Sequence, residues 1–166
     1  MDILINNAGI SSINPQYAKD TPVKDVQNVF DTNFMGVISV TQSFLGLLKK
    51  SDSPRISNIT SGLGSLSLQS DPTRKYYPYK SVSYVTSKAA LNVYTIVLAF
   101  ELRELPLKVN AINPGYTATD FNHHRGLGTV ESVAAFIIKH TVTNDFEPTS
   151  KFFSKDIEER SEVSLW

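Results

Sequence analysis

The residues whose spacing first suggests a reaction are Tyr84 and Lys88, in the run Tyr84-Val85-Thr86-Ser87-Lys88. On a helix, positions i and i+4 share a face and lie close enough to interact. A phenol with a pKa near 10 is a poor acid-base group at neutral pH, but a neighbouring cation favours its ionised form and draws it toward working range. The pair is therefore a candidate proton-transfer couple. An interfacial tyrosine beside a solvated lysine has the same spacing, so the pair gains meaning only from its company. That company, in chain order, is Asn6-Asn7-Ala8-Gly9, Asn33, Ser61 and, beyond the pair, Asn113-Pro114-Gly115.

Other chemistries are narrowed by composition. The 166 residues include no cysteine, which removes thiolate nucleophiles, a disulfide framework and the common cysteine-bearing zinc sites. His123-His124-Arg125 resembles a ligand cluster, but adjacent residues do not converge on one ion and no carboxylate is suitably spaced, so no metal is expected. Lys plus Arg number 16 and Asp plus Glu 16, a balance that gives no reason to expect a nucleic-acid or membrane-surface partner. The first residues lack the basic flank and cleavage site of a signal peptide, and no apolar run approaches the roughly 18 to 20 residues of a spanning helix. A cytoplasmic location is expected.

The elements that must position these residues follow from pattern. Ile3-Leu4-Ile5 reads as a short buried strand that runs into the Asn6 to Gly9 turn. Thr21-Pro22 offers a hydroxyl cap with proline at the first helical position. From Val23 through Val26, Phe30, Phe34, Val37, Thr41, Phe44 and Leu48 an apolar face recurs every three or four residues, predicting one long amphipathic helix. Residues 55–60 predict a second strand, broken by Ser61-Gly62-Leu63-Gly64-Ser65. Residues 66–80, with Tyr76, Tyr77 and Tyr79, have no sustained period and predict an extended loop. Ser81 is placed to cap a helix that runs to about Arg103 and stops at Pro106. That helix is apolar almost all round between Ala89 and Phe100, which calls for a sheet on one side and a partner subunit on the other. Residues 109–113 predict a third strand, 130–142 a helix and Phe152-Phe153 a last strand. Strands alternating with long helices imply an α/β fold with a parallel sheet and ligands at the carboxyl ends of its strands.

With these elements in order, the sequence resembles the short-chain dehydrogenase/reductase family over nearly its whole length. The resemblance implies a Rossmann-like doubly wound parallel sheet and hydride transfer between a nicotinamide dinucleotide and a carbonyl or alcohol, with Tyr84 as acid-base. It implies that Asn6, Ala8 and Gly9 stabilise the sheet and flank the adenosine side of the cofactor. Ser61 then orients the substrate carbonyl, with Ser65 as runner-up, while Ser57, Ser67 and Ser70 are left to turn chemistry. Asn33 matches the helix asparagine that kinks the helix around a water linking the lysine to solvent. Lys88 would hold the nicotinamide ribose and stabilise the tyrosinate. Pro114, Gly115, Thr117 and Thr119 match the loop over the nicotinamide, where Thr119 bonds the carboxamide and Ile112 and Pro114 wall the ring. The following segment, 121–129, reads as a substrate-side lid with Gly126 and Gly128 as hinges.

Members of that family open with a strand, a Thr-Gly-x-x-x-Gly-x-Gly turn and a helix that hold the pyrophosphate. No such run occurs in these residues, and Gly62-Leu63-Gly64 is no substitute, since it lies in the substrate-side loop. The expectation is one partial domain over residues 1–166, the C-terminal part of the fold without its first βαβ units. Two readings follow: a working enzyme with an incomplete gene model, which is favoured, or a non-catalytic interaction module that has lost cofactor binding. A sugar-nucleotide epimerase fits less well, because the chain has Asn-Asn-Ala-Gly and no separate substrate domain. The long loop before Tyr84 and the run Glu147 to Phe153 look like carbonyl-reductase-like members, which favours NADP(H) over NAD(H). A small, moderately apolar carbonyl substrate and a homo-oligomer through the long helices complete the expectation.

Overall fold

The computed structural model describes residues 1–12, 16–74, 77–142, 149–156 and 163–166. Tyr76 and the Glu147-Pro148 pair lie outside the described residues. Strands β1 (Ile3–Asn6), β2 (Arg55–Ile59), β3 (Lys108–Asn113) and β4 (Phe152–Ser154) form one parallel sheet in the order β1-β2-β3-β4. In register, Leu4 faces Ile56 and Ile56 faces Val109, while Ile112 lies between Ile59 and Phe153. Parallel pairing brings the carboxyl ends of all four strands to one rim, which gathers the polar loops that follow them.

The sheet is covered on both faces, as an α/β fold requires. One core joins Leu4, Ile56 and Val109 to Leu48, Leu98, Ala99, Leu102 and Leu107; the other joins Ile59, Ile112 and Phe153 to Phe136. The first is closed by helices α2 (Gly36–Leu48) and α4 (Val82–Glu101), the second by α5 (Val130–Val142). Strand β2 is buried along its whole length, so its polar side chains must find partners inside. Asn58 does so on both sides, accepting from Asn6 Nδ2 at 2.8 Å and donating to Thr95 Oγ1 at 2.9 Å; Asn6 also donates to Thr41 Oγ1 at 3.1 Å. This network ties β1, β2, α2 and α4 together. Ser57 accepts from Thr141 Oγ1 at 2.9 Å, so it is a buried strand residue and not a turn residue.

Three further expectations are corrected. The long first helix is interrupted: α1 (Val23–Phe30) passes through a π-helical turn, Asp31–Met35, before α2 begins. Thr21 does not cap α1, because its hydroxyl donates back to the Tyr17 carbonyl at 2.8 Å and Pro22 holds the cap position. Within the expected loop over 66–80, Ser65 accepts from Leu68 N at 3.2 Å and starts the short helix α3 (Leu66–Ser70). A serine cap needs only one free N–H two or three residues on, a signal that the absence of sustained periodicity obscured. Ser81 caps α4 as expected, accepting from Tyr84 N at 3.4 Å. Among the described residues, no helix is long and apolar enough to cross a membrane.

Candidate active site

Tyr84 lies in the first turn of α4 and Ser61 two residues beyond the end of β2, with the Ser61 hydroxyl close enough to the Tyr84 phenol to draw its pKa downward. Ser61 Oγ also accepts from Leu63 N at 3.2 Å, which fixes its orientation at the head of a 3-10 turn, Gly62–Gly64. Ser65, the alternative serine, is buried and spent on capping α3. Ser67 and Ser70 make only local or chain-end bonds, to the Trp166 and Ser67 carbonyls.

One turn after Tyr84, Lys88 is almost wholly buried and its ammonium donates to the Ile59 carbonyl at 2.8 Å. Its Nζ stands 5.8 Å from the Tyr84 ring centroid. Burial pulls the Lys88 pKa down to about 8. Burial also raises Tyr84 above the ordinary phenol value, outweighing the opposing hydrogen bond from Ser61. The expected lowering of the phenol by the lysine is therefore overridden: desolvation favours the neutral form of both groups. Tyr84 at neutral pH is a protonated phenol, the state a proton donor needs.

Asn33 sits at the centre of the π-helical turn with no exposed surface. Its Oδ1 accepts from Ile10 N at 2.8 Å, and its Nδ2 donates to the Ile10 carbonyl at 2.9 Å and to Ser87 Oγ at 3.0 Å. The asparagine thereby clamps the Asn6 to Gly9 turn onto α4. Gly9 lies between the two groups, since a Cβ there would stand 3.4 Å from Lys88 Nζ and 3.5 Å from Asn33 Oδ1. Asn6 points into the sheet network, whereas Ala8 is exposed on the rim.

Beyond β3, Gly115 takes a left-handed conformation (φ 75°), and its N–H donates to Asn113 Oδ1 at 3.1 Å. A Cβ at this position would be strained by the positive φ and would also push Asp156 Oδ1, 2.9 Å away, aside, so glycine is favoured. Pro114 is half-buried, as is Thr117, whose hydroxyl turns back to the Pro114 and Gly115 carbonyls at 3.4 and 3.3 Å. Thr119 N donates to Asn122 Oδ1 at 3.3 Å, at the start of a 3-10 turn, Asp120–Asn122. That turn carries Phe121 onto Tyr84, with ring centroids 5.8 Å apart and the planes tilted by 54°. The structure thus brings Asn33, Ser61, Tyr84, Lys88 and Gly9 to one point, with the Pro114 to Thr119 loop on the same rim.

A family model described as short chain dehydrogenase matches residues 1–128. The chain belongs to the short-chain dehydrogenase family. It is 36% identical over 143 residues to the short-chain dehydrogenase anuI of Penicillium roqueforti, a match that covers 84% of this chain and 56% of that one. Salutaridine reductase of Papaver somniferum is 26% identical, with 92% of this chain and 68% of that one covered. Among solved structures, NADPH-bound carbonyl reductase from chicken fatty liver superposes with a TM-score of 0.84 at 27% identity, over 100% of this chain and 66% of that one. Against the fungal relatives, this short-chain dehydrogenase spans about half of their length.

Several residues that shape the site were missed by sequence reasoning. Gly64 is one: a Cβ there would stand 2.7 Å from the Lys88 carbonyl carbon, so the missing side chain lets the Ser61 loop press on α4. Thr60 Oγ1 donates to Asn92 Oδ1 at 2.6 Å and approaches the Lys88 carbonyl at 3.4 Å, bolting the end of β2 to α4. Asn92 was findable, being four residues beyond Lys88 on the same face. Asp156, which accepts from Asn113 Nδ2 at 2.8 Å, carried no local signal. The expected hinge at Gly126 is a packing point: a Cβ there would lie 1.9 Å from Thr117 C. His123 and His124 are both left-handed (φ 53° and 57°), and His124 pairs with Asp120 at 2.9 Å on the surface.

Proposed function

We propose that this chain carries the reaction half of an NAD(P)(H)-dependent oxidoreductase that interconverts a carbonyl and an alcohol, with Tyr84 as its acid-base. The observation that carries this reading is the placement of Ser61 beside the Tyr84 phenol with buried Lys88 one helical turn away. Ser61 and Tyr84 can both donate to one substrate oxygen, which holds the carbonyl and meets the charge that develops on it. Tyr84 gives up its proton there, and Lys88 stabilises the phenolate left behind.

The residues present fit the nicotinamide end of a dinucleotide. The Lys88 ammonium has three donors and spends one on Ile59, beside a glycine at position 9 that keeps the approach open. Lys88 would hold the ribose hydroxyls, Ala8 and Gly9 the adenosine side, with Asn6 bracing their turn from within the sheet, and Pro114, Gly115, Thr117 and Thr119 the nicotinamide. When bound, the dinucleotide supplies the hydride. Asn33, whose side-chain amide is engaged by Ile10 and Ser87, holds the wall along which a water would return the proton to Lys88. The similarity to an NADPH-bound carbonyl reductase supports NADP(H) over NAD(H).

Tyr116, Phe121 and Leu127 expose apolar surface in the loop after β3, which supports a small, moderately apolar carbonyl substrate. The exposed apolar side chains of α2 and α4 support a homo-oligomer. In the decisive experiment, Tyr84→Phe loses turnover by about two to four orders of magnitude, the usual range for a lost general acid, while keeping its circular dichroism spectrum. Near-normal reductase activity in that variant overturns the reading. Saturable enhancement of reduced-dinucleotide fluorescence by the purified chain supports the enzyme, and its absence supports a non-catalytic module.

A further inference from the structure

We propose that Phe121 is a positioning residue for Tyr84, closing the phenol off from water on the loop side and holding its ring where Ser61 can hydrogen-bond it. The inference rests on the reading of Tyr84 as the acid-base residue. In Thr119-Asp120-Phe121-Asn122-His123-His124-Arg125, Phe121 is the one apolar side chain in a polar run, and it is half exposed. Nothing in the turn's own geometry requires a ring there. The turn is held by Asn122, which donates to the Thr117 carbonyl at 2.7 Å and accepts from Thr119 N, and by His124 N, which donates to the Thr119 carbonyl at 2.9 Å. What the phenylalanine meets is Tyr84.

The arm that presents it is built to stay in place. Ala118 N donates to the Gly128 carbonyl at 2.9 Å, Leu127 N and Gly128 N both donate to the Tyr116 carbonyl, and Thr117 bridges to Gly128. Gly126 lies against the Thr117 backbone with no space for a side chain. A ring on such an arm covers one side of the half-buried Tyr84, with Ser61 beside its hydroxyl. The upward pKa shift of Tyr84, caused first by burial, agrees with this enclosure.

Tyrosine acetylation by N-acetylimidazole near neutral pH, read for each tyrosine by peptide mass spectrometry on the full chain, tests the proposal. In the wild type, Tyr84 should react more slowly than the exposed Tyr17 and Tyr79. Phe121→Ala should raise the Tyr84 rate by about fivefold or more, as expected for local opening, while Tyr94 on the same helix changes by less than about twofold. The Tyr84 titration midpoint, followed by NMR of ring-labelled tyrosine with Tyr84→Phe assigning the signal, should fall toward about 10, the value of a solvated phenol. An unchanged rate or an unchanged midpoint in folded Phe121→Ala overturns the proposal, as does a parallel rise at Tyr94. Phe121→Leu, which keeps an apolar group but no ring, should shift both readouts less in the same direction and carries the test if the alanine variant does not fold. If acetylation behaves as expected but Tyr84→Phe retains turnover, the acid-base reading fails and the enclosure stands.

Discussion

Lys88 shows what a buried ammonium costs the chain that holds it. Its pKa of about 8, against an unfolded value of 10.5, corresponds to about 3 kcal/mol of burial penalty while the group is charged. Below pH 8 the folded and unfolded lysines are both protonated and the whole penalty is carried. Between about 8 and 10.5 the folded chain releases a proton that the unfolded chain still holds, so this residue's contribution to stability improves as pH rises. Lys88→Met is therefore expected to be inactive yet more stable near pH 7, by about 1–2 kcal/mol after the lost bond to Ile59 is discounted. Urea unfolding should show that advantage narrowing by pH 9.5. A constant advantage across that range would contradict a burial origin. Tyr84 does not interfere in this window, because a raised phenol pKa costs stability only above its unfolded value near 10. At this scale the sequence was informative about which residues matter and silent about their ionisation, since residue spacing carries no information on desolvation.

At the scale of elements, the site depends on two departures from regular structure. The π-helical turn puts Asn33 into the interior, where three hydrogen bonds join it to Ile10 and Ser87. Asn33→Ala would remove two part-buried bonds to the Ile10 backbone and one buried bond to Ser87, at an expected cost of about 1–3 kcal/mol in denaturant unfolding. The apolar period from Val23 to Leu48 reads as one helix because a single inserted residue barely shifts a pattern of threes and fours. The π turn is visible only through what Asn33 binds across 23 and 54 residues of sequence. The second departure is the close approach of Gly64 to Lys88. Gly64→Ala forces the Ser61 loop off α4, with about 1–3 kcal/mol of destabilisation from overpacking and a loss of turnover out of proportion to it. Turnover that falls only as far as the folded fraction would assign the glycine to stability alone.

Across the whole molecule, the two faces of α4 divide the work. Lys88, Leu91, Asn92, Thr95 and Leu98 turn inward to the sheet and the site, while Val93, Val97 and Phe100 are exposed, as are Val40, Phe44 and Leu47 of α2. Large apolar side chains left exposed along two long helices are the expected seat of a second copy. Phe100→Glu should shift the chain toward monomer in sedimentation velocity without altering its circular dichroism; an unchanged distribution would move the interface elsewhere. The sequence by itself determined the strands and most of the helices, and it singled out Asn33, Ser61, Tyr84, Lys88 and the Asn113 to Thr119 loop as candidates, because apolar period and motif order are written locally. Tertiary structure alone decided that Ser61 rather than Ser65 reaches the phenol, that Gly126 is a packing point and that Phe121 covers Tyr84. It also decided that burial, rather than the neighbouring charge, governs the Tyr84–Lys88 pair. Each of these depends on which groups from distant parts of the chain exclude water from one another, and that is settled only when the parallel sheet brings its strand ends to a common rim.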